Sequence, residues 1–402
     1  MAAALDGIHV LDLTHDWAGP HAARLLADYG ADVIKLEYPR RLDGMRGGHL
    51  KEERYNGHPR FWQLHRNKRS LTLDLARQAH RDRALRLLRW ADVVIDGSRP
   101  GVLERLGLSW DVMRAQRADL ILVRMSAYGG TGPDAAYPGY GGSMEAASGL
   151  QAFTAHGEGE PPRRIREVDA INGLAGACAI LTAIVARQAT GQGACLDLSQ
   201  NEAVVSSMAG ERWLAVAAGA DGPRVHGNRH PRFAPHGCYP CRGDDRWVTV
   251  SIESDAEWQS LCAVLVRPDL SADPRLSGVE GRRRAHDLLD AAISAWTRQR
   301  NHREAMEALQ AAGVRAGAVF DAADVAGDPH LAARRWILDA EDGSGRYPGV
   351  PFRLASDPVT VRRRGPGLGE HNVEISSEVV GISPADVEPL DPSELGTAYE
   401  PE

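Results

Sequence analysis

Residues 9–37 carry the pattern that most limits what this chain can become. An apolar run, His9 to Leu13, is followed by a turn at Trp17-Ala18-Gly19-Pro20. Pro20 suits the first turn of a helix, where its missing N–H costs nothing, and the helix runs to about Tyr29. Gly30 stops it, and Ala31 to Glu37 forms a second apolar run. Two strands joined through one helix pair in parallel, because a parallel pair needs a crossover that a hairpin does not. The pattern recurs with Ser70 to Leu75 as strand, Ala79 to Ala91 as helix and Asp92 to Asp96 as strand, followed by strands at Leu120 to Arg124 and Ala194 to Ser199. The expected class is therefore α/β: an open, doubly wound, Rossmann-like large domain over residues 1–204.

The character changes after about residue 215. Gly227 to Pro240, rich in Gly, Pro, His and Arg, reads as a crossing segment that ends in a strand. Arg246 to Ile252 is then a strand, with helices around Glu257 to Val266, Arg283 to Thr297 and His302 to Ala312, and a further strand at Val314 to Phe320. This predicts a small α/β domain at 228–320, linkers at 205–227 and 321–340, and a return to the large domain over 341–402 with a weak final helix. A net charge of -7 argues against a basic nucleic-acid-binding surface. Three lysines, Lys35, Lys51 and Lys68, stand against 44 arginines among the 47 basic residues, a bias read as genomic rather than mechanistic. The most apolar stretch, Ala170 to Ala186, contains Asn172, Gly173, Gly176 and Thr182, and is expected to be a buried helix rather than a membrane span. The N-terminus lacks a basic n-region and five cysteines make no disulfide framework, so the expected location is the cytoplasm.

Several segments can carry chemistry. The turn at Gly19-Pro20 lies where open α/β sheets bind ligands, but no G-x-G-x-x-G stands there. Arg66-Asn67-Lys68-Arg69-Ser70 precedes one strand, and Arg99-Pro100-Gly101 with Glu104-Arg105 follows another. Both read either as solvated charged loops or as phosphate-binding segments. Asp169 heads the apolar helix. The residue type suits an N-cap, whose carboxylate accepts backbone N–H groups, and that position also suits an ionised nucleophile. Cys238-Tyr239-Pro240-Cys241, with His230 and His236 upstream, has no second ligand pair, so buried thiols on a strand are expected and no metal.

Seven stretches taken in order resemble the family III CoA-transferases (CaiB/BaiF type), the group with formyl-CoA:oxalate and carnitine CoA-transferases. They are GIHVLDLTHDWAGPHAARLLADYGADVIKLE, NKRSLTLDL, ADVVIDGSRPGVLERLGL, GGTGPDAAYPGY, the Asp169 helix ending in TGQG, GNRHPRFAPHGCYP, and GVPFRL with LGEHNVE. The resemblance covers nearly the whole chain. It implies that Asp169, with Gly173 one turn on, is the nucleophile, and that Lys68, Arg69, Leu73, Arg99, Arg105 and Tyr140 contact CoA. It places Trp17, Gly19, Gly141 and Gly142 around the acyl group. It further implies an interlocked dimer, homomeric or heteromeric, acyl-CoA and carboxylic acids as substrates, and no permanently bound cofactor, nucleic acid or membrane.

This chain departs from the family pattern at four places. Trp17 replaces a glutamine of the formyl-transferase branch, Gly141 replaces an acid, Gly97-Ser98 replaces Asn-Phe, and Glu37-Tyr38-Pro39 replaces Glu-Arg-Pro. Oxalate and formate are therefore not the expected acids; a larger or partly apolar one is. Two rival readings were weighed. An α-methylacyl-CoA racemase would need a second acid/base group, which its family supplies as His-Asp after the glycine that here is Gly139, where this chain has Tyr140-Gly141. A non-catalytic subunit that binds CoA esters would have less reason to keep Asp169 and its glycines.

Overall fold

Alternate residues of each strand face opposite layers, and in this chain both layers are apolar. Val10, Val33, Val93, Ile95, Ile121, Val123 and Met125 pack into one core, while Leu11, Ile34, Leu36, Leu71, Val94 and Leu122 pack into the other. A strand apolar on both faces belongs in a sheet covered on both sides. The computed structural model, which describes residues 3–47, 51–157, 159–219, 226–355 and 359–396, has that sheet. Its strands are β1 His9–Asp12, β2 Asp32–Glu37, β3 Arg69–Thr72, β4 Val93–Asp96, β5 Ile121–Ser126 and β6 Ala194–Ser199. They are all parallel, in the order β3-β2-β1-β4-β5-β6. Chain order reverses between β1 and β4, which opens a crevice at their carboxyl ends.

The helices are α1 Ala18–Asp28, α2 Pro59–His65, α3 Gln78–Trp90, α4 Val102–Arg105, α5 Trp110–Gln116, α6 Gly141–Ala147 and α7 Val168–Thr190. The cores show that α1 and α7 cover one face, whereas α3 and α5 cover the other, joined by Ile375 from the helix Asn372–Glu378. Helix α7 buries Gly173, Gly176, Ala177, Ile180, Ala183 and Ile184 and leaves Leu174, Leu181 and Val185 exposed. Its small residues permit the close approach to α1: a Cβ on Gly176 would lie 2.7 Å from Met125 and 3.2 Å from Ala22.

The predicted strand at residues 70–75 is shorter and starts earlier, and two short helices, α2 and α6, add to those expected. The chain divides into two compact units, residues 1–151, 164–221 and 333–402 in one and 152–163 with 222–332 in the other. The second contains an antiparallel sheet of β7 His236–Pro240, β8 Trp247–Ser251 and β9 Arg315–Ala318. Helices Asp255–Leu265, His286–Thr297 and His302–Ala311 close its own core around Trp258, Leu261 and Ile293. Within β7, Tyr239 is buried with its hydroxyl donating to Asp290 (2.9 Å), and burial raises the Cys241 thiol to about 11.

Candidate active site

The β1–α1 turn is rigid for reasons visible in its side chains. Thr14 donates through both its N–H (3.0 Å) and its hydroxyl (2.5 Å) to Asp12 Oδ1. Gly19, the second residue of α1, lies so close to Thr14 that a Cβ would come within 2.4 Å of it, which is why a glycine stands there. Beneath the turn lies a sealed ion cluster. Lys68 Nζ donates to Asp12 Oδ2 (2.8 Å) and to the carbonyl of Pro20 (3.0 Å). Lys35 Nζ pairs with Asp43 (2.9 Å) and donates to the Thr14 carbonyl (2.6 Å). Arg46 grips Glu37 through two nitrogens (2.9 and 2.7 Å). Burial pushes the Asp12 carboxyl up, but the ammonium groups of Lys68 and Lys35 outweigh it and hold it far below the usual range. Burial also brings the Lys68 ammonium down to about 8, against the opposing pull of Asp12.

Helices α1 and α7 run side by side in one direction, His21 against Gly173 and Ala22 against Gly176. Asp169 is the second residue of α7, in its first turn, rather than the expected cap: the residue at the N-cap is Glu167, and Val168, fully buried, already belongs to the helix. Its carboxylate accepts no hydrogen bond from the described residues, so the expected amide clamp is corrected. Instead burial raises Asp169 above its usual value, the Arg164 charge opposes that rise, and the Glu145 charge adds to it. The carboxylate rests against the first residue of α6: a Cβ on Gly141 would lie 2.7 Å from Asp169 Oδ2. The guanidinium of Arg164 lies over Gly142, whose Cβ would fall 2.9 Å from Cζ. Gly141 thus lies against Asp169, and Gly142 against Arg164.

Three neighbours went unnoticed at the level of sequence. Glu145, fully buried, accepts the Arg166 N–H (2.7 Å) and lies 3.6 Å from Arg164 Nε. Asp16, whose backbone has a φ of 65°, is held by its N–H on Asp43 (3.2 Å). Burial, then Asp43, and more weakly Asp169 raise its carboxyl, which has no hydrogen-bond partner among the described residues. His21 keeps an unpaired buried Nδ1, and burial lowers its imidazole to about 4.

At the carboxyl ends of β1 to β4 lies a groove of about 340 Å³, lined among others by His15, Glu37, Leu73, Asp96, Ser98 and Val102. Leu73 is the expected CoA contact that it contains. Arg99 and Arg105 flank α4, exposed, and Tyr140 is 66% exposed at the N-cap of α6. Lys68 and Arg69 are corrected. The segment 66–69 is not an open basic loop, because each cation in it already has an acid: Arg66 pairs with Asp28 (2.7 Å), Lys68 with Asp12, and Arg69 with Asp32 and Glu374 (2.9 Å). Arg69 opens β3, at the amino end of the sheet, away from the groove. Asp96 ends β4 in the groove wall, and burial raises its carboxyl to about 6 despite the N–H of Ser98 (2.9 Å).

Known proteins align with this arrangement. The profile of CoA-transferase family III matches residues 5–372. Succinyl-CoA--D-citramalate CoA-transferase of Chloroflexus aurantiacus is 35% identical over 95% of this chain and 96% of its own length. The beta subunit of succinyl-CoA--L-malate CoA-transferase from the same organism is 33% identical over 94% of each chain. A CAIB/BAIF family protein from Brucella suis superposes with a TM-score of 0.85 at 28% identity, covering 94% of this chain and all of that one. This chain is a CoA-transferase, a member of CoA-transferase family III.

Proposed function

We propose that this chain moves CoA from an acyl-CoA to a carboxylic acid through covalent intermediates on Asp169. The observation that carries the reading is a part-buried carboxylate, free of hydrogen bonds from the described residues, set against a glycine that leaves its oxygens open. Asp169 attacks the donor thioester and CoA thiolate leaves, forming a mixed anhydride. The thiolate then attacks the aspartyl carbonyl, which releases the donor acid and leaves an aspartyl-CoA thioester. The acceptor carboxylate attacks that thioester and expels the thiolate. The thiolate finally takes the acceptor's acyl group from the new anhydride, and the Asp169 carboxylate is restored. No proton, electron or water is consumed.

The groove at the carboxyl ends of β1 to β4 is proposed to hold CoA, with Leu73 on its wall and Arg99, Arg105 and Tyr140 as further contacts. Lys68 and Arg69 act behind it as supports of the turn and the edge strand. Trp17, Gly19, Gly141 and Gly142 border the acyl group. Residues 228–320 form a small domain joined by linkers at 205–227 and 321–340, and two chains interlock as a cytoplasmic dimer, with an identical chain or a related subunit. The beta-subunit relative makes the heteromer worth testing by light scattering of the purified chain alone. Asp169→Ala must abolish transfer while CoA binding persists; turnover retained by that variant, or no hydroxylamine-sensitive adduct on Asp169 in the wild type, refutes the mechanism.

A further inference from the structure

A cation stands beside the proposed nucleophile with little to do for the fold. Arg164 is half exposed, lies over Gly142 and makes one ion pair among the described residues, with Glu145, 3.6 Å from its Nε. Its terminal amino groups have no hydrogen-bond partner among the described residues. Glu145, by contrast, is fully buried and spoken for: besides Arg164 it holds the Arg166 N–H (2.7 Å) and the Gln151 side chain (3.2 Å). The acid therefore fixes the segment leading into α7, and with it the place of the guanidinium. Arg164 also bears on Asp169 directly, since its charge opposes the rise that burial causes there. What results is a tethered fork of N–H donors close enough to be felt by the carboxylate proposed to take the acyl group.

We infer that Arg164 is a specificity-determining residue that binds a second carboxylate on the acid being transferred, so that the substrate class is dicarboxylic. A planar guanidinium with free terminal N–H groups matches a carboxylate bidentately. Because it stands over Gly142, while Asp169 rests on Gly141, one acid can reach both, its reacting carboxyl at Asp169 and its distal one at Arg164. A monocarboxylic acid of equal length leaves the fork solvated and gains nothing from it. The inference rests on the proposed role of Asp169.

The test is isotope exchange, which needs only one acid at a time: succinyl-CoA with labelled succinate, and butyryl-CoA with labelled butyrate, the pair differing by a terminal carboxylate against a methyl. The wild type should exchange succinate with the higher kcat/KM. Arg164→Gln should lower that value about tenfold to a hundredfold and leave butyrate within about threefold, with Arg164→Lys in between. Equal losses for both acids would mean that the charge acts on Asp169 or on the fold, and would overturn the inference. So would a wild-type preference for butyrate, an unchanged succinate rate in Arg164→Gln, or exchange of neither acid. Butyrate exchange that Asp169→Ala abolishes, alongside a succinate rate indifferent to Arg164, would sink this assignment alone and leave the mechanism standing.

Discussion

Two groups of charges a few residues apart in the fold are built on opposite rules. Under the β1–α1 turn, Asp12, Lys35, Glu37, Asp43, Arg46 and Lys68 are all buried, and each finds an opposite charge at hydrogen-bond distance. Around Asp169, neither that carboxylate nor Asp16 has such a partner among the described residues, and Arg164 is held at arm's length by Glu145. Sealed charges must be matched, because an unmatched one in a low dielectric is costly. Charges meant for a ligand must be left short of partners. The first group makes a floor; the second waits for substrate.

The largest effect should come from unmatching the floor. Lys68→Met leaves Asp12 buried with only Lys35 near it, and urea unfolding should report a loss of roughly 3–5 kcal/mol. A loss under about 1 kcal/mol would mean that the floor does not depend on its pairing. Asp96 is the next case, a buried carboxyl in the groove with no ion pair among the described residues. Its folded value of about 6 against an ordinary 3.8 means that folding disfavours its charge. The group therefore favours the fold fully below pH 4, and that contribution fades as pH rises through about 6. The change is roughly 2–3 kcal/mol. Asp96→Asn should flatten this dependence and melt higher than the wild type at pH 8; a lower melting point there would contradict it. The smallest change concerns the open group. Gly141→Ala puts a methyl 2.7 Å from Asp169 Oδ2, and displacing the carboxylate should slow transfer about tenfold to a hundredfold with stability nearly unchanged.

What the sequence disclosed and what it hid follow the same division. The β-α-β units were legible because both faces of the strands are apolar and the helices between them are punctuated by Pro20 and Gly30. Asp169 was legible as a helix-head acid, yet its placement was misjudged. Val168 is drawn into the core and starts the helix two residues early, which turns the carboxylate away from a cap and toward Gly141. The basic segment 66–69 read as open because its partners, Asp12, Asp28 and Asp32, lie about 40 to 60 residues away and carry no local signal. Arg164 and Glu145 escaped notice for the same reason: neither belongs to a periodic pattern, and only the fold brings them beside α7.

The basic segment also has a partner far down the chain. Arg66 donates to the carbonyl of Pro348, Asn67 bonds Thr360 and Arg362, and Thr72 on the edge strand bonds the side chain of Asn372. Those bonds span nearly 300 residues. A ribosome making this protein delivers the sheet first and its fastening last, with the whole of residues 222–332 synthesised in between. The unit built from that middle segment can close as soon as it emerges, whereas β3 must wait for the C-terminal return. Truncating the chain before residue 360 would therefore damage its beginning rather than its end.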